Sequence, residues 1–194
     1  EITGQSFSVE TSLNVTPTEQ TPVLVQSDSS WERRNMRWWL IPHWSKEPTT
    51  KYTMFNARSE TLEKSRAFRE PFQQRRCVLP VSGYYEWKTE SGVKVPYYIE
   101  PESENGLALA ALWDRWHGND KVIESCTIVT AAAPQAMETI HNRIPVHLTR
   151  EQIDSWVNAN TDRETLAKLL APEVRVPLRV TAMSTYVNNA RNKD

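Results

Sequence analysis

Residues 76–88 read RCVLPVSGYYEWK, an apolar run and an aromatic run separated by Ser82 and Gly83. Short runs rich in β-branched and aromatic side chains, broken by small residues, are typical of β-strands. We therefore predict strands from Arg76 to Val81 and from Tyr84 to Lys88. Because runs of this kind recur through the first two thirds of the chain, they decide the fold class.

Five further runs predict strands in the same way. They extend over Pro22 to Gln26, Met36 to Ile41, Val95 to Glu100, Leu107 to Trp113 and Ser125 to Ala131. Strands and helical patterns mix without a regular βαβ rhythm, which argues against a parallel α/β sheet. We predict an α+β fold: a single domain over residues 1–194 with a mostly antiparallel, barrel-like β-sheet and peripheral short helices.

Helical patterns interrupt the strands at three places. One begins at Ser59, with acidic residues early and basic residues late, the polarity that complements a helix dipole, and we expect it to end before Pro71. Nearer the C-terminus, the sequences beginning at Thr149 and Thr161 resemble capping boxes, in which Gln or Glu follows a threonine at the third position. Each of these predicts the start of a short helix.

The charge balance limits how the protein can bind nucleic acid. The 194 residues include 23 Lys and Arg against 24 Asp and Glu, for a formal net charge of -1. Such a chain does not bind nucleic acid through a bulk positive field, so any DNA contact must come from a local patch.

The two cysteines and the absence of long apolar stretches indicate the cellular compartment in which we expect the protein. Cys77 and Cys126 each lie inside an apolar run and are expected to be buried thiols, not a disulfide framework. No apolar stretch approaches the roughly 20 residues of a membrane helix. We expect a soluble protein in a reducing, intracellular setting.

Three polar residues at the ends of predicted elements, or inside them, are candidates for chemistry. Asn56 lies between an apolar run and the predicted helix, where its amide could orient a reacting carbonyl or simply cap a turn. Glu86 is a carboxylate inside an aromatic strand, where desolvation should raise its pKa toward acid/base duty, unless it faces outward as an ordinary strand glutamate. His141 stands before a proline-restricted residue and is either an acid/base or structural.

Other kinds of site have no support in the sequence. The four histidines show no paired ligand spacing, and neither cysteine has a Cys or His partner close by in the chain, so we expect no metal. Only five glycines are present and they form no phosphate-binding loop, so no nucleotide cofactor is expected. A GxSxG nucleophile elbow is also absent, which argues against serine hydrolase chemistry.

Six segments, in order and in context, resemble the SOS response-associated peptidase (SRAP) family. They are residues 13–17 (LNVTP), 36–44 (MRWWLIPHW), 56–61 (NARSET), 77–87 (CVLPVSGYYEW), 140–145 (IHNRIP) and 187–192 (VNNARN). Each segment is weak alone, but chance agreement of all six in the correct order is implausible. The resemblance spans nearly the whole chain.

The resemblance implies a covalent mechanism. Family members carry a cysteine after the initiator methionine, in a Met-Cys-Gly-Arg start, and remove that methionine by a self-processing peptidase activity. The exposed α-amine, with a reference pKa of about 7.7 to 8.0, forms a Schiff base with the aldehyde of an abasic site, and the thiol closes a thiazolidine ring. By similarity, Glu86 shuttles protons, His141 assists opening of the sugar ring and Asn56 positions the reacting centre.

The nucleophile is not in the sequence, which begins at Glu1. The resemblance implies a Met-Cys-Gly-Arg segment before that residue, and a chain lacking it is expected to be inactive. Cys77 and Cys126 cannot substitute, because a thiazolidine needs an amine and a thiol on one residue.

The resemblance also implies a partner, single-stranded DNA that contains abasic sites. Arg58 and Arg66 match positions that bind phosphates, and Trp44 matches an aromatic residue that wedges against bases. Further contact positions match Pro17, His43 and Thr130.

Two other functions stay open: a non-catalytic single-stranded DNA-binding module, and a protease acting on other proteins. The second rests on the family's name and a Glu/His pair. We expect a monomer without a cofactor in the cytoplasm, associated with the nucleoid if the source is bacterial.

Overall fold

The computed structural model describes residues 13–27, 30–103 and 106–193, and this part of the chain contains eleven strands and four short α-helices. The strands are β1 (Gln20–Ser27), β2 (Ser30–Trp38), β3 (Asn56–Arg58), β4 (Arg76–Val81), β5 (Tyr84–Glu90), β6 (Val93–Pro101), β7 (Leu107–Gly118), β8 (Lys121–Ala132), β9 (Arg143–Pro145), β10 (His147–Leu148) and β11 (Leu178–Ala182). The helices are α1 (Arg69–Gln74), α2 (Gln135–Glu138), α3 (Arg150–Val157) and α4 (Arg163–Leu169), and 3₁₀ turns lie at Ser59–Thr61 and Thr185–Asn188.

Five strands close into a barrel. β1 pairs with β2 and with β4, β4 pairs with β7, and β7 pairs with β8, all antiparallel. A short parallel contact between β2 and β8, with Arg37 opposite Ser125 and Trp38 opposite Cys126, completes the ring. The short strands β3 and β9 extend the sheet from β8, and β10 extends it from β7. The predicted α+β fold with a mostly antiparallel, barrel-like sheet is confirmed.

Four of the five barrel strands, β1, β4, β7 and β8, bury apolar side chains on both faces, whereas β2 leaves Glu32 and Arg33 exposed. One apolar cluster takes side chains from each of the five barrel strands and therefore fills the interior; it includes Val23, Met36, Cys77, Leu109 and Cys126. A second cluster combines alternate residues of β1, β4, β7 and β8 with side chains of α1, α3 and α4. Both cysteines are buried free thiols, as predicted.

β5, β6 and β11 form a second, antiparallel sheet. The chain enters it from β4 through Gly83, which lies so close to β6 that an added Cβ would come 2.6 Å from the carbonyl oxygen of Ile99. Glycine is required here by this close approach of two backbones. The sheet carries Glu86 in the middle of β5, opposite Tyr97 of β6.

The helix predicted to run from Ser59 and end before Pro71 is wrong. Ser59–Thr61 form only a 3₁₀ turn, and the α-helix that follows is α1, which contains Pro71 and buries it. Proline is tolerated at this point because the backbone N–H groups of the first helical turn have no intrahelical acceptor.

Both predicted C-terminal helices form, with one change of cap. Thr149 makes the predicted capping box with Gln152 at the start of α3. At α4 the cap is Asp162, whose Oδ1 accepts the N–H of Thr165 at 2.9 Å. The expected cap, Thr161, is occupied elsewhere, since its hydroxyl donates to the carbonyl of Ser155 at 2.6 Å. Within the described ranges, no helix combines the length and apolar character needed to cross a membrane.

The strand predicted over Met36 to Ile41 has different limits, whereas the other six predicted strands form at their expected places. β2 runs over Ser30–Trp38, and the chain then leaves the sheet. The N–H of Ile41 donates to Oγ of Ser125 at 2.8 Å, and that of Leu40 to the carbonyl of Met54 at 3.1 Å. Leu40 and Ile41 are apolar because they are fully buried in a loop, not because they belong to a strand.

Candidate active site

Glu86 and His141 lie together at an open cleft. Glu86 belongs to β5, and His141 follows α2, where its N–H donates to the carbonyl of Met137 at 3.2 Å. Oε2 of Glu86 is 3.9 Å from Nδ1 of His141. The cleft has a volume of about 410 Å³, and its lining also includes Trp87, Lys94 and Asn188. Two residues predicted from separate motifs are therefore brought into one site.

The surroundings of Glu86 suit proton transfer. Its side chain is only 24 % exposed. Burial raises the pKa of Glu86 above its usual value of 4.5, while His141 and the N–H of Trp87 act in the opposite direction. The net direction is the one predicted from the aromatic strand. A carboxyl group with a raised pKa holds a proton closer to neutral pH than a surface glutamate does.

The backbone of Arg143 orients the imidazole of His141. The N–H of Arg143 lies 3.2 Å from Nδ1, and the carbonyl oxygen of Arg143 lies 3.1 Å from the same atom. A neutral Nδ1 can accept from the N–H, and a protonated Nδ1 can donate to the carbonyl. Nδ1 of His141 therefore has a backbone partner both as an acceptor and as a donor.

The side chain of Arg143 ties three elements together. Its guanidinium donates through two nitrogens to the carboxylate of Glu60, at 3.1 and 3.0 Å, and lowers the pKa of that group. It also donates to Oγ1 and to the carbonyl of Thr130, at 3.1 and 2.6 Å. Thr130 is buried at the end of β8 with its hydroxyl engaged by Arg143, so its role as a DNA contact stays a prediction. Arg143 was not singled out from the sequence, although it lies in the quoted segment 140–145.

Asn56 and Arg58 share the exposed face of β3. Ala57 between them is fully buried, and Arg58 stands opposite Thr130 in the parallel register with β8. Asn56 does not cap the following 3₁₀ turn, whose N-cap residue is Arg58. Nor is it among the residues that line the cleft of Glu86 and His141. Its positioning role stays a prediction.

Arg66 and Trp44 stack on one another at the surface. The guanidinium carbon of Arg66 lies 4.1 Å from the centroid of the Trp44 ring, within the range of a cation–π contact. Trp44 is 42 % exposed, and Arg66 is exposed as well. The pair presents a positive charge beside an aromatic face. In a chain with a net charge near zero, any contact with nucleic acid would need a local patch of this kind.

Two further predicted contact residues, His43 and Pro17, lie at other places in the fold. The ring of His43 lies between two carboxylates, with Nδ1 3.1 Å from Oδ2 of Asp114 and Nε2 3.3 Å from Oε2 of Glu70. Pro17 is half-buried in the turn before β1, where the carbonyl of Thr16 accepts the N–H of Glu19 at 3.1 Å. Contact of either residue with DNA stays a prediction.

Three residues of the cleft lining were not predicted. Nε1 of Trp87 donates to Oδ1 of Asn188 at 2.7 Å, which joins β5 to the C-terminal part of the chain. Both residues occur in motifs quoted above, but Lys94 on β6 had no sequence signal. Among residues 13–27, 30–103 and 106–193, no three His, Cys, Asp or Glu side chains are grouped so that they could hold a metal ion.

Comparison with known proteins connects this geometry to a family. The abasic site processing protein YoqW of Bacillus subtilis (strain 168) is 37 % identical over 186 residues, which cover 93 % of this chain and 82 % of that protein. The abasic site processing protein HMCES of Xenopus tropicalis is 30 % identical over 222 residues, covering 97 % of this chain and 66 % of that protein. A crystal structure of a protein from Bacteroides thetaiotaomicron superposes with a TM-score of 0.79 at 29 % identity, over 89 % of this chain and 77 % of that one. The sequence profile of the SOS response associated peptidase (SRAP) family matches residues 2–190, and the chain belongs to that family.

Proposed function

We propose that this protein recognises abasic sites in single-stranded DNA and links itself covalently to them. The relatives YoqW and HMCES are abasic site processing proteins, which supports DNA with abasic sites as the partner. The observation that carries the proposal is the pairing of Glu86 with His141, 3.9 Å apart in an accessible cleft. A pair that can hold and pass a proton is what condensation of an amine with an aldehyde requires.

We assign the nucleophile to an N-terminal cysteine, because the resemblance to the family implies one. Cys77 and Cys126 are unsuitable because both are fully buried and neither carries a free amine. Burial also raises the pKa of the Cys126 thiol to about 12, which keeps it from ionising.

The reaction then proceeds in three steps. The amine adds to the aldehyde carbon of the opened sugar and gives a carbinolamine, and loss of its hydroxyl as water gives an imine. The thiol adds to the imine carbon, a C–S bond forms, and the thiol proton ends on the nitrogen. The product is a thiazolidine, and one water has been released.

The chain's own residues divide the proton transfers. Glu86, with its raised pKa, gives a proton to the leaving hydroxyl of the carbinolamine, recovers one from the nitrogen as the imine forms, and then passes the proton of the attacking thiol to that nitrogen. His141 removes the proton of the anomeric hydroxyl while the bond from the anomeric carbon to the ring oxygen breaks and that oxygen takes up a proton from water, which opens the sugar to the aldehyde. Asn56 is assigned the orientation of the sugar, and the same glutamate is assigned the removal of the initiator methionine.

DNA is held by a local patch rather than by the net charge. Arg58 and Arg66 bind phosphates, and Trp44, stacked on Arg66, offers its exposed ring to an unstacked base. Stacking of this kind favours single strands, since the bases of a duplex already stack on one another.

Incubation with an abasic single-stranded oligonucleotide tests the proposal. The protein is prepared with Cys-Gly-Arg at its N-terminus, and we expect an adduct that survives heating and has the summed mass of protein and DNA less one water. The matched control has serine as its first residue and gives no stable adduct. If the cysteine protein binds single strands without an adduct, the chain is a binding module, and if it cleaves unrelated peptides instead, it is a protease.

A further inference from the structure

Trp44 lies in the long loop between β2 and β3, here called the β2–β3 loop (residues 39–55). The N–H of Ser45 donates to the carbonyl of Pro42 at 2.9 Å, which closes a β-turn with His43 and Trp44 at its two central positions. The Trp44 side chain is exposed, and the guanidinium of Arg66 lies over its ring. An exposed side chain in a loop of this length keeps one position only if the backbone on both sides of it is fixed.

Two side chains of β7 bond the backbone on either side of Trp44. Oδ2 of Asp114 accepts the N–H of His43 at 2.9 Å. Nε1 of Trp116 donates to the carbonyl of Ser45 at 2.7 Å. Asp114 and Trp116 are two residues apart on β7, so their side chains leave the same face of the strand. The residues before and after Trp44 are thus both attached to one strand of the barrel.

The two attaching side chains are themselves held in place. Both Asp114 and Trp116 are buried. The second oxygen of Asp114, Oδ1, accepts the N–H of Arg115 at 2.8 Å and lies 3.3 Å from Nη2 of Arg75. A buried carboxylate costs free energy unless both of its oxygens are paired, so these partners keep Asp114 in one orientation. Neither Asp114 nor Trp116 has a part in the proposed reaction.

We propose that Asp114 and Trp116 are positioning residues that fix the Trp44 side chain for stacking on a DNA base. The inference rests on the proposed function, in which Trp44 contacts an unstacked base. Fixing one large side chain before the ligand arrives removes part of the entropy cost of binding, which corresponds to about two- to tenfold in affinity. Because both residues are buried, they act through Trp44 and not by touching DNA.

Trp116→Phe removes the indole N–H and keeps an aromatic ring in the core. We expect its affinity for a single-stranded oligonucleotide, measured by fluorescence anisotropy, to fall about two- to tenfold. The loss should not exceed that of Trp44→Ala, which should itself be at least about fivefold. Trp156→Phe is the matched control and should bind normally. Trp156 is also fully buried and donates from Nε1 to a carbonyl at 2.9 Å, but its partner, Cys77, belongs to β4 rather than to the β2–β3 loop.

A double-mutant cycle separates positioning from a general loss of stability. Asp114→Ala, which removes the acceptor for the N–H of His43, is the second test variant and should also weaken binding. In a Trp44→Ala background, Trp116→Phe and Asp114→Ala should each change the affinity by less than about twofold, because the ring that they position is gone. An equal loss with and without Trp44 overturns the proposal, and so does unchanged affinity in both single variants.

Hydrogen exchange in the free protein separates this inference from the proposed function. Exchange is followed by mass spectrometry on peptides that cover residues 41–47, without DNA. We expect exchange in these peptides to accelerate in Trp116→Phe and Asp114→Ala, and to stay unchanged in Trp156→Phe. Unchanged exchange in both test variants overturns the proposal, whether or not any protein binds DNA. If exchange accelerates as expected but the unaltered protein binds no single strand, the proposed function fails while the attachment of the loop by Asp114 and Trp116 stands.

Discussion

The carboxylate of Glu86 faces the imidazole of His141, with 3.9 Å between Oε2 and Nδ1. One residue lies in the middle of a strand of the second sheet, and the other follows a one-turn helix after the barrel strand β8. At this distance the charge of His141 lowers the pKa of Glu86, against the larger effect of burial. The pair accounts for the chemistry that we assign to the cleft, and it supplies the first two predictions.

Replacing Glu86 by glutamine should slow the reaction without preventing DNA binding. Glutamine keeps the shape of the side chain but cannot transfer a proton, and general acid/base groups typically contribute about 10²- to 10⁴-fold. We expect the crosslinking rate of Glu86→Gln, with Cys-Gly-Arg at its N-terminus, to fall at least about tenfold. Glu90→Gln, on the same strand but paired with Lys88, is the control and should react normally. Full-rate crosslinking by Glu86→Gln would leave the mechanism without its acid/base.

The same variant should gain stability at neutral pH. Burial raises the pKa of Glu86 in the folded state above 4.5. The contribution of the protonated Glu86 carboxyl to stability is therefore complete below pH 4.5 and is lost as the pH rises through the pKa of the folded state. Glu86→Gln removes the buried charge, so its free energy of unfolding should exceed that of the unaltered protein at pH 7.5. The difference should disappear below about pH 4. Urea unfolding at both pH values measures this, and an equal difference at the two values contradicts it.

Arg58 and Arg66 should each contribute one phosphate contact. Replacing either by alanine should weaken binding to any single strand and reduce the slope of log affinity against log salt by about 0.7. Fluorescence anisotropy with a labelled oligonucleotide over a range of salt concentrations gives both quantities. Arg179→Ala, which removes an exposed arginine paired with Glu100 on the second sheet, is the matched control. Unchanged affinity and slope in both test variants would make this region an ordinary solvated surface.

His147 should make the protein less stable as the pH falls. The ring of His147 is fully buried beside Tyr84. Neither ring nitrogen has a hydrogen-bond partner among the described residues. Burial lowers the pKa of His147 from 6.5 to about 4. A group whose pKa is lowered by folding stabilises the protein above pH 6.5. This contribution, about 3 kcal/mol for a shift of this size, is lost as the pH falls toward 4.

His147→Leu should therefore lose much less stability between pH 7.5 and pH 4.5 than the unaltered protein does. Urea unfolding at both pH values measures the loss. The control is His117→Gln, which changes an exposed histidine of β7 and should leave the pH dependence as it was. If His147→Leu keeps the full pH dependence, His147 does not carry it.

Much of the fold could be predicted because its signals are local. The runs from Arg76 to Val81 and from Tyr84 to Lys88 form strands where their composition indicated, and Thr149 caps α3 through a bond to a residue three positions away. Apolar composition alone was misleading, because it reflects burial as well as a local preference for β-strand. Leu40 and Ile41 are apolar because a loop buries them, and their side chains could not be distinguished from those of a strand by composition.

The sequence by itself determined the fold class and the burial of both cysteines. The places of Asn56, Glu86 and His141 in predicted elements made them candidates, and the resemblance to a family gave each an expected role. Only the tertiary structure decided which of these meet. Glu86 reaches His141 because β5 and the chain after α2 border the same cleft, while Asn56 lies on β3 outside its lining. Contacts between residues far apart in the chain depend on strand pairing and on packing of the sheets, and these arise from the summed burial of many side chains rather than from any short motif.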